Sequence, residues 1–144
     1  MPRLPQKVFI DTGAFLAWEL VRDQYHTVAA AGWEILAESA VPMITTDHVL
    51  DETLTLLGRR ASYALAAARG VDYLESSALT VFQPSREDLL NATKGMRKYA
   101  DQGVSFTDCL SFAVMKRERI KNVFGFDRHF EAAGFRLWRP LLSA

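Results

Sequence analysis

The sequence predicts a three-layer α/β fold in which a central parallel sheet is flanked by helices. Two observations carry this expectation. Short runs of β-branched and aromatic residues recur at 7–10, 42–45, 79–83, 122–126 and 135–138, and a segment of helical period, or a turn into one, follows each of the first four. Parallel neighbours need long crossover connections, which helices supply, so this alternation makes a covered parallel sheet the economical arrangement. The chain also has 144 residues, 49% of them hydrophobic, with no Pro-, Gly- or Ser-rich linker. That is enough to bury a core of ordinary size, and residues 1–144 are expected to form one domain.

The elements follow in order. Val8, Phe9 and Ile10 read as a buried strand, and the run from Ala14 to Trp18 opens a buried helix, so Asp11 falls at their junction. After the second strand, a helix begins near Asp47 and continues through Leu54, Leu56 and Leu57. The third strand precedes a helix between residues 85 and 100. Ser85 with Asp88 three residues on marks its start, and Arg97 and Lys98 form its basic end. Ser105 and Asp108 repeat that spacing ahead of "CLSFAVMKRER". The fourth strand turns through "FGFD" toward the short last one.

Composition excludes several functions. Seventeen basic residues balance seventeen acidic ones and the sequence pI is about 6.8, so total charge draws neither nucleic acid nor an anionic membrane. Any polyanion must be attracted locally. Cys109 is the only cysteine, which excludes an intrachain disulfide and suits a reducing, cytoplasmic setting. No segment reaches the roughly 20 apolar residues of a membrane span, so a soluble protein is expected. His26, His48 and His129 show no zinc-motif spacing.

The acids carry the chemistry. Asp11 lies at the carboxyl end of a strand, where open α/β sheets bind ligands, yet an Asp before a helix is also an ordinary cap. Asp47 reads as a cap, Asp108 as a capping-box acid and Asp127 as a turn residue. Taken together, Asp11, Asp108, Asp127 and an acid of the second helix converge on one sheet edge. Unpaired carboxylates there raise one another's pKa and cost stability unless a cation joins them. The second helix offers both Asp51 and Glu52, which flank its apolar arc on opposite sides, and periodicity does not choose between them. Carboxylates without a His or Cys cluster suit a hard ion, Mg²⁺ or Mn²⁺.

The segments "VFIDTGAFLAW", "VLDETLTLL", "SFTDCLSFAVM" and "FGFDRHFEAAGFRLWRP" resemble, in that order, the motifs of PIN-domain proteins, especially the VapC-like toxin ribonucleases. The resemblance spans nearly the whole chain and implies a PIN-like fold. It selects Glu52 over Asp51, identifies Asp11, Glu52, Asp108 and Asp127 as metal-binding acids, and identifies Thr12 and Thr107 as supporting hydroxyls. It further implies a Mg²⁺- or Mn²⁺-dependent endoribonuclease yielding 5′-phosphate and 3′-hydroxyl ends, a symmetric homodimer, and a small antitoxin that silences it. Gly125 departs from the pattern, since many relatives carry threonine two residues before the last acid. A catalytically silent PIN-like binding module and a housekeeping RNA-processing PIN nuclease are the alternatives. A phospho-receiver is disfavoured, lacking an early acid pair and a late lysine.

Arg59, Arg60, Arg86, Lys94, Arg97, Lys98 and Arg128 are candidates for holding phosphates, against the plainer reading as solvated charges. Lys116, Arg117 and Arg119 look like complements to a helix dipole. Asp23 reads as a cap, His26 as a packing residue and Cys109 as a small buried one. Trp18, Trp33 and Tyr25 are expected in core or dimer packing rather than base stacking. Trp33, Tyr63, Leu65 and Tyr73 together suggest apolar surface left for a dimer.

Overall fold

The computed structural model describes residues 4–140. Five parallel strands, β1 (Val8–Ile10), β2 (Met43–Thr46), β3 (Leu79–Phe82), β4 (Asn122–Phe124) and β5 (Arg136–Leu137), form one sheet in the order β3-β2-β1-β4-β5. Helices α1 (Thr12–Glu19), α2 (His26–Glu38), α3 (Asp47–Arg60), α4 (Tyr63–Glu75), α5 (Arg86–Lys98), α6 (Phe106–Arg117) and α7 (His129–Ala132) supply the crossovers. This is the predicted α/β fold. Every residue of β1 is fully buried, as expected of a strand covered on both faces. Growth of the sheet runs from β1 through β2 to β3, then restarts on the other side of β1 with β4 and β5. The crevice beyond the ends of β1 and β4 is therefore the topological switch point.

Strand bounds differ from the sequence reading for local reasons. β2 starts at Met43 because Pro42 has no N–H to give the ladder, although its carbonyl accepts from Val8 N at 3.0 Å. β4 stops at Phe124, where Asp11 N makes the last bond to its carbonyl at 3.0 Å, and Gly125 and Phe126 turn away. β5 is only two residues long because Phe135 N is engaged with Phe130 O, closing α7.

Packing accounts for most residues set aside above. Trp33 is buried and its indole Nε1 donates to Ala14 O at 3.0 Å, joining α2 to α1. Tyr73 is buried and its hydroxyl donates to Glu19 at 3.0 Å. Leu65 is half-buried against the small cluster of Leu16, Leu57 and Ala66. Of the four residues read as apolar surface for a dimer, only Tyr63 stands fully out, because α1 takes up Trp33 and Tyr73 while the packing of α4 on α3 takes up Leu65. His26 donates to Ala17 O at 2.8 Å, and Asp23 accepts from Tyr25 N at 2.8 Å in the turn before α2. Among the described residues no helix is long and apolar enough to cross a membrane.

One glycine sets how closely α2 approaches the sheet. A Cβ at Gly32 would stand 2.5 Å from the Phe124 ring, which is itself fully buried in β4. Gly32→Ala is expected to cost about 1–3 kcal/mol by overpacking, read as a lower urea midpoint at unchanged m-value. An unaltered midpoint would mean that the helix shifts freely.

Candidate metal centre

Four separate elements each bring one acid to the switch point. Asp11 follows β1, Glu52 projects from α3, Asp108 sits in the first turn of α6, and Asp127 follows β4. They line one open cleft of about 470 Å³ together with Thr12 and His129. Asp47 is not among the lining residues and pairs with His48 at 2.8 Å, while Asp51 is exposed. Which of Asp51 and Glu52 faces the cleft is set by the docking of α3 on α1. Thr53 Oγ1 lies 3.4 Å from Thr12 Oγ1, which in turn donates to Glu52 Oε2 at 3.1 Å.

The capping readings separate cleanly. Asp11 occupies the N-cap position of α1 but makes no side-chain cap bond, and among the described residues its buried Oδ1 has no hydrogen-bond partner. Ser85 and Asp88 form a complete capping box, and Arg117 clamps the buried Asp88 carboxylate with Nε at 2.9 Å and Nη2 at 2.8 Å. Ser105 and Asp108 have the same spacing, yet only half the box forms: Ser105 accepts from Asp108 N at 3.1 Å, and the Asp108 side chain goes to the cleft instead. Asp127 does act in a turn, accepting from His129 N at 2.9 Å, and lines the cleft as well. Thr107 does not line it. One residue before Asp108, it is turned about 100° around α6, and Ser105 takes that place on the wall.

Crowding shows in the protonation equilibria. Burial, then the charge of Asp108, hold the Asp11 carboxyl well above the usual carboxylate range, with Glu52 and Asp127 adding to the effect. Asp108 is pushed up to about 7 by burial and next by Asp127, with Glu52 contributing and the nearby His129 ring opposing. Burial and the Asp108 charge also raise the Cys109 thiol, which suits an inert buried residue.

His129 was legible only as a residue without zinc-motif spacing. Its buried Nδ1 lies 3.6 Å from Asp108 Oδ2 and 3.4 Å from Asp127 Oδ1, and it too has no hydrogen-bond partner among the described residues. Asp108, Asp127 and His129 offer three ligand atoms within 4.8 Å of one another. The D-x-H spacing at the start of α7 was the available signal. An oxygen-rich set with two orphaned buried atoms, Asp11 Oδ1 and His129 Nδ1, fits a hard divalent cation. Gly125 shapes the same spot: a Cβ there would stand 3.0 Å from Asp11 Cβ, and no hydroxyl is present to satisfy the carboxylate.

The cleft rim carries Tyr25, whose ring stacks on Phe126 with centroids 4.2 Å apart and planes 2° from parallel. Trp18 is partly exposed and stacks on Trp33. Of the seven basic residues considered for phosphates, Arg60 alone lines the cleft among the described residues.

A four-acid crevice at the switch point of a five-stranded parallel sheet defines an acid-centred α/β domain. The family model for the PIN domain matches residues 8–136, and the chain belongs to that family. It is 34% identical over 133 residues to the 23S rRNA-specific endonuclease VapC20 of Mycobacterium tuberculosis, covering 92% of this chain and 98% of that protein. The crystal structure of that VapC20, a Sarcin-Ricin loop cleaving toxin, matches with a TM-score of 0.85 at 32% identity, covering 93% of this chain and all of that one. A VapC ribonuclease of Archaeoglobus fulgidus is 28% identical over 140 residues, covering 92% of this chain and 85% of that protein. VapBC2 from Rickettsia felis, bound to a DNA fragment from its promoter, shares the fold with a TM-score of 0.67 at 13% identity, covering 91% and 96%.

Proposed function

We propose that this chain is an endoribonuclease, the toxin of a toxin–antitoxin pair, working with Mg²⁺ or Mn²⁺ at Asp11, Glu52, Asp108 and Asp127. The observation that carries this reading is the convergence of those four carboxylates on the switch point with Asp11 Oδ1 unpaired. The relatives named as an rRNA endonuclease and a ribonuclease, similar across nearly the whole chain, support the substrate class. A divalent cation in this site supplies charge neutralisation and water activation for attack on a phosphodiester.

The chain's own residues do the rest. Thr12 donates to Glu52 and holds its carboxylate toward the cleft, and Thr53 fixes Thr12 from behind. Asp127, tied through Oδ1 to the start of α7, sets His129 beside Asp108. Water displaces the 3′-oxygen of the preceding nucleotide, so the products carry 5′-phosphate and 3′-hydroxyl ends and the ribose 2′-hydroxyl takes no part. RNA selectivity must then come from shape and single-strandedness. The proposal takes residues 1–144 as one PIN domain, active in the cytoplasm as a symmetric homodimer. An antitoxin would silence it by reaching an Arg or Lys into the acids.

The test is cleavage of a structured ribosomal RNA by purified protein, abolished by EDTA and restored by Mn²⁺ or Mg²⁺. Glu52→Gln is expected to slow cleavage by about 100-fold or more, whereas Asp51→Asn stays within about twofold, because only the first carboxylate faces the cleft. Equal losses in both variants would reject the assignment of Glu52.

A further inference from the structure

A second depression, of about 530 Å³, lies between α5 and α6 and is lined by cations over an aromatic floor. Lys94 and Lys98, one turn apart on α5, and Lys116 on α6 border it, all three exposed. Tyr99, Phe112 and Phe135 supply the apolar surface, with the Lys98 ammonium 5.4 Å from the Tyr99 ring centroid. Among the described residues these three lysines form no salt bridge, whereas Arg117 beside them is committed to Asp88 and Glu118. Two like charges at i and i+4, faced by a third, repel one another, and an anion laid along the groove removes that repulsion.

Its position links this groove to the acid cleft. Asp108 lines the cleft, and the next residue, Cys109, lines the groove, so the first turn of α6 is the wall between them. Lys116 lies eight residues beyond Asp108, roughly 12 Å along the helix. A protein with seventeen basic and seventeen acidic residues that gathers four acids at its reaction centre repels a polyanion there and must hold it nearby. Cations interleaved with aromatic rings suit a single strand, whose phosphates and bases both find partners.

We propose that the α5/α6 groove binds the RNA backbone that flanks the cleaved phosphodiester, with Lys94, Lys98 and Lys116 as phosphate contacts. This rests on the nuclease reading above and extends it to the path of the substrate.

The experiment is binding of fluorescein-labelled poly(U) in EDTA across a salt titration, comparing wild type with Lys94→Gln/Lys98→Gln/Lys116→Gln. All three positions are exposed, and the thermal melt of the triple variant should match wild type. Loss of three phosphate contacts should make the slope of log K against log salt shallower by about 2 and weaken binding about 100-fold at 0.1 M salt. The control variant Arg119→Gln/Lys121→Gln/Arg136→Gln removes three exposed cations that do not line the groove, and its slope should stay at the wild-type value. An unchanged slope in the first variant, or equal losses in both, overturns the proposal. So does capture of polyglutamate in preference to poly(U), lost in the first variant, which would assign the groove to an acidic protein segment. Because EDTA removes catalysis from the measurement, groove-dependent binding by a wild type that cleaves no RNA with Mn²⁺ would uphold the groove and sink the nuclease reading. Mn²⁺-dependent cleavage with an unaltered salt slope would do the reverse.

Discussion

Asp11→Asn is expected to slow metal-dependent RNA cleavage by about 10³-fold or more while making the metal-free protein more stable at pH 8. The two effects share one cause. The Asp11 carboxylate is buried at the end of β1, lacks a hydrogen-bond partner on Oδ1 and faces the charges of Asp108, Glu52 and Asp127. Without a cation its ionised form is desolvated and repelled, and asparagine is its neutral isostere, so stability should rise on the order of 1–3 kcal/mol. With a cation the same carboxylate becomes the most enclosed donor of the cluster, and its removal leaves the site without that charge. Cleavage assays and urea melts on one preparation check both effects. Retained cleavage would reject the mechanism, and a large loss of stability would make Asp11 a structural cap after all.

The second large effect is the pH dependence of the metal-free fold. Asp108 is raised from an ordinary 3.8 to about 7, and Asp11 is raised as well. Between about pH 4 and pH 7 the folded protein therefore binds more protons than the unfolded chain, and stability falls as pH rises through that window. Because Asp127 and Glu52 share in the repulsion, the expected loss is on the order of 3 kcal/mol rather than the full value of the shift. Asp88 works in the opposite sense: the Arg117 guanidinium holds it below the usual range, so its contribution is present above its unfolded pKa and lost at lower pH. Metal-free stability should then peak at about pH 4, where the gain from Asp88 is complete and the fall from Asp108 and Asp11 begins. Added Mn²⁺ or Mg²⁺ should restore at pH 8 what deprotonation removed, since binding to the folded state alone shifts the equilibrium toward it. Urea midpoints at pH 5, 6, 7 and 8, with EDTA and with metal, make the comparison. A flat profile in EDTA would show that the carboxylates do not crowd one another.

The alternation of apolar strands and helices, the position of Asp11 at a strand end and the start of α5 were legible in the chain because each rests on neighbours within a few residues. Local apolar runs form strands, and a Ser with an Asp three residues on can cap a helix without help from elsewhere. The same local logic could not separate Asp88 from Asp108, which follow serines at identical spacing. Arg117, 29 residues past Asp88, turns one into the partner of a guanidinium, while the other is left to the cleft. Nor could helical phase choose Glu52 over Asp51, since both flank the apolar arc. That choice required α3 to dock on α1 so that Thr12 and Thr53 meet. The order of the strands, the shortening of β4, the use of Trp33 and Tyr73 within the chain and the placement of His129 also depend on partners distant in sequence. A carboxylate's neighbours in the chain settle whether it can cap a helix. Whether it is buried among other charges depends on long-range packing, because desolvation and Coulomb repulsion act through space.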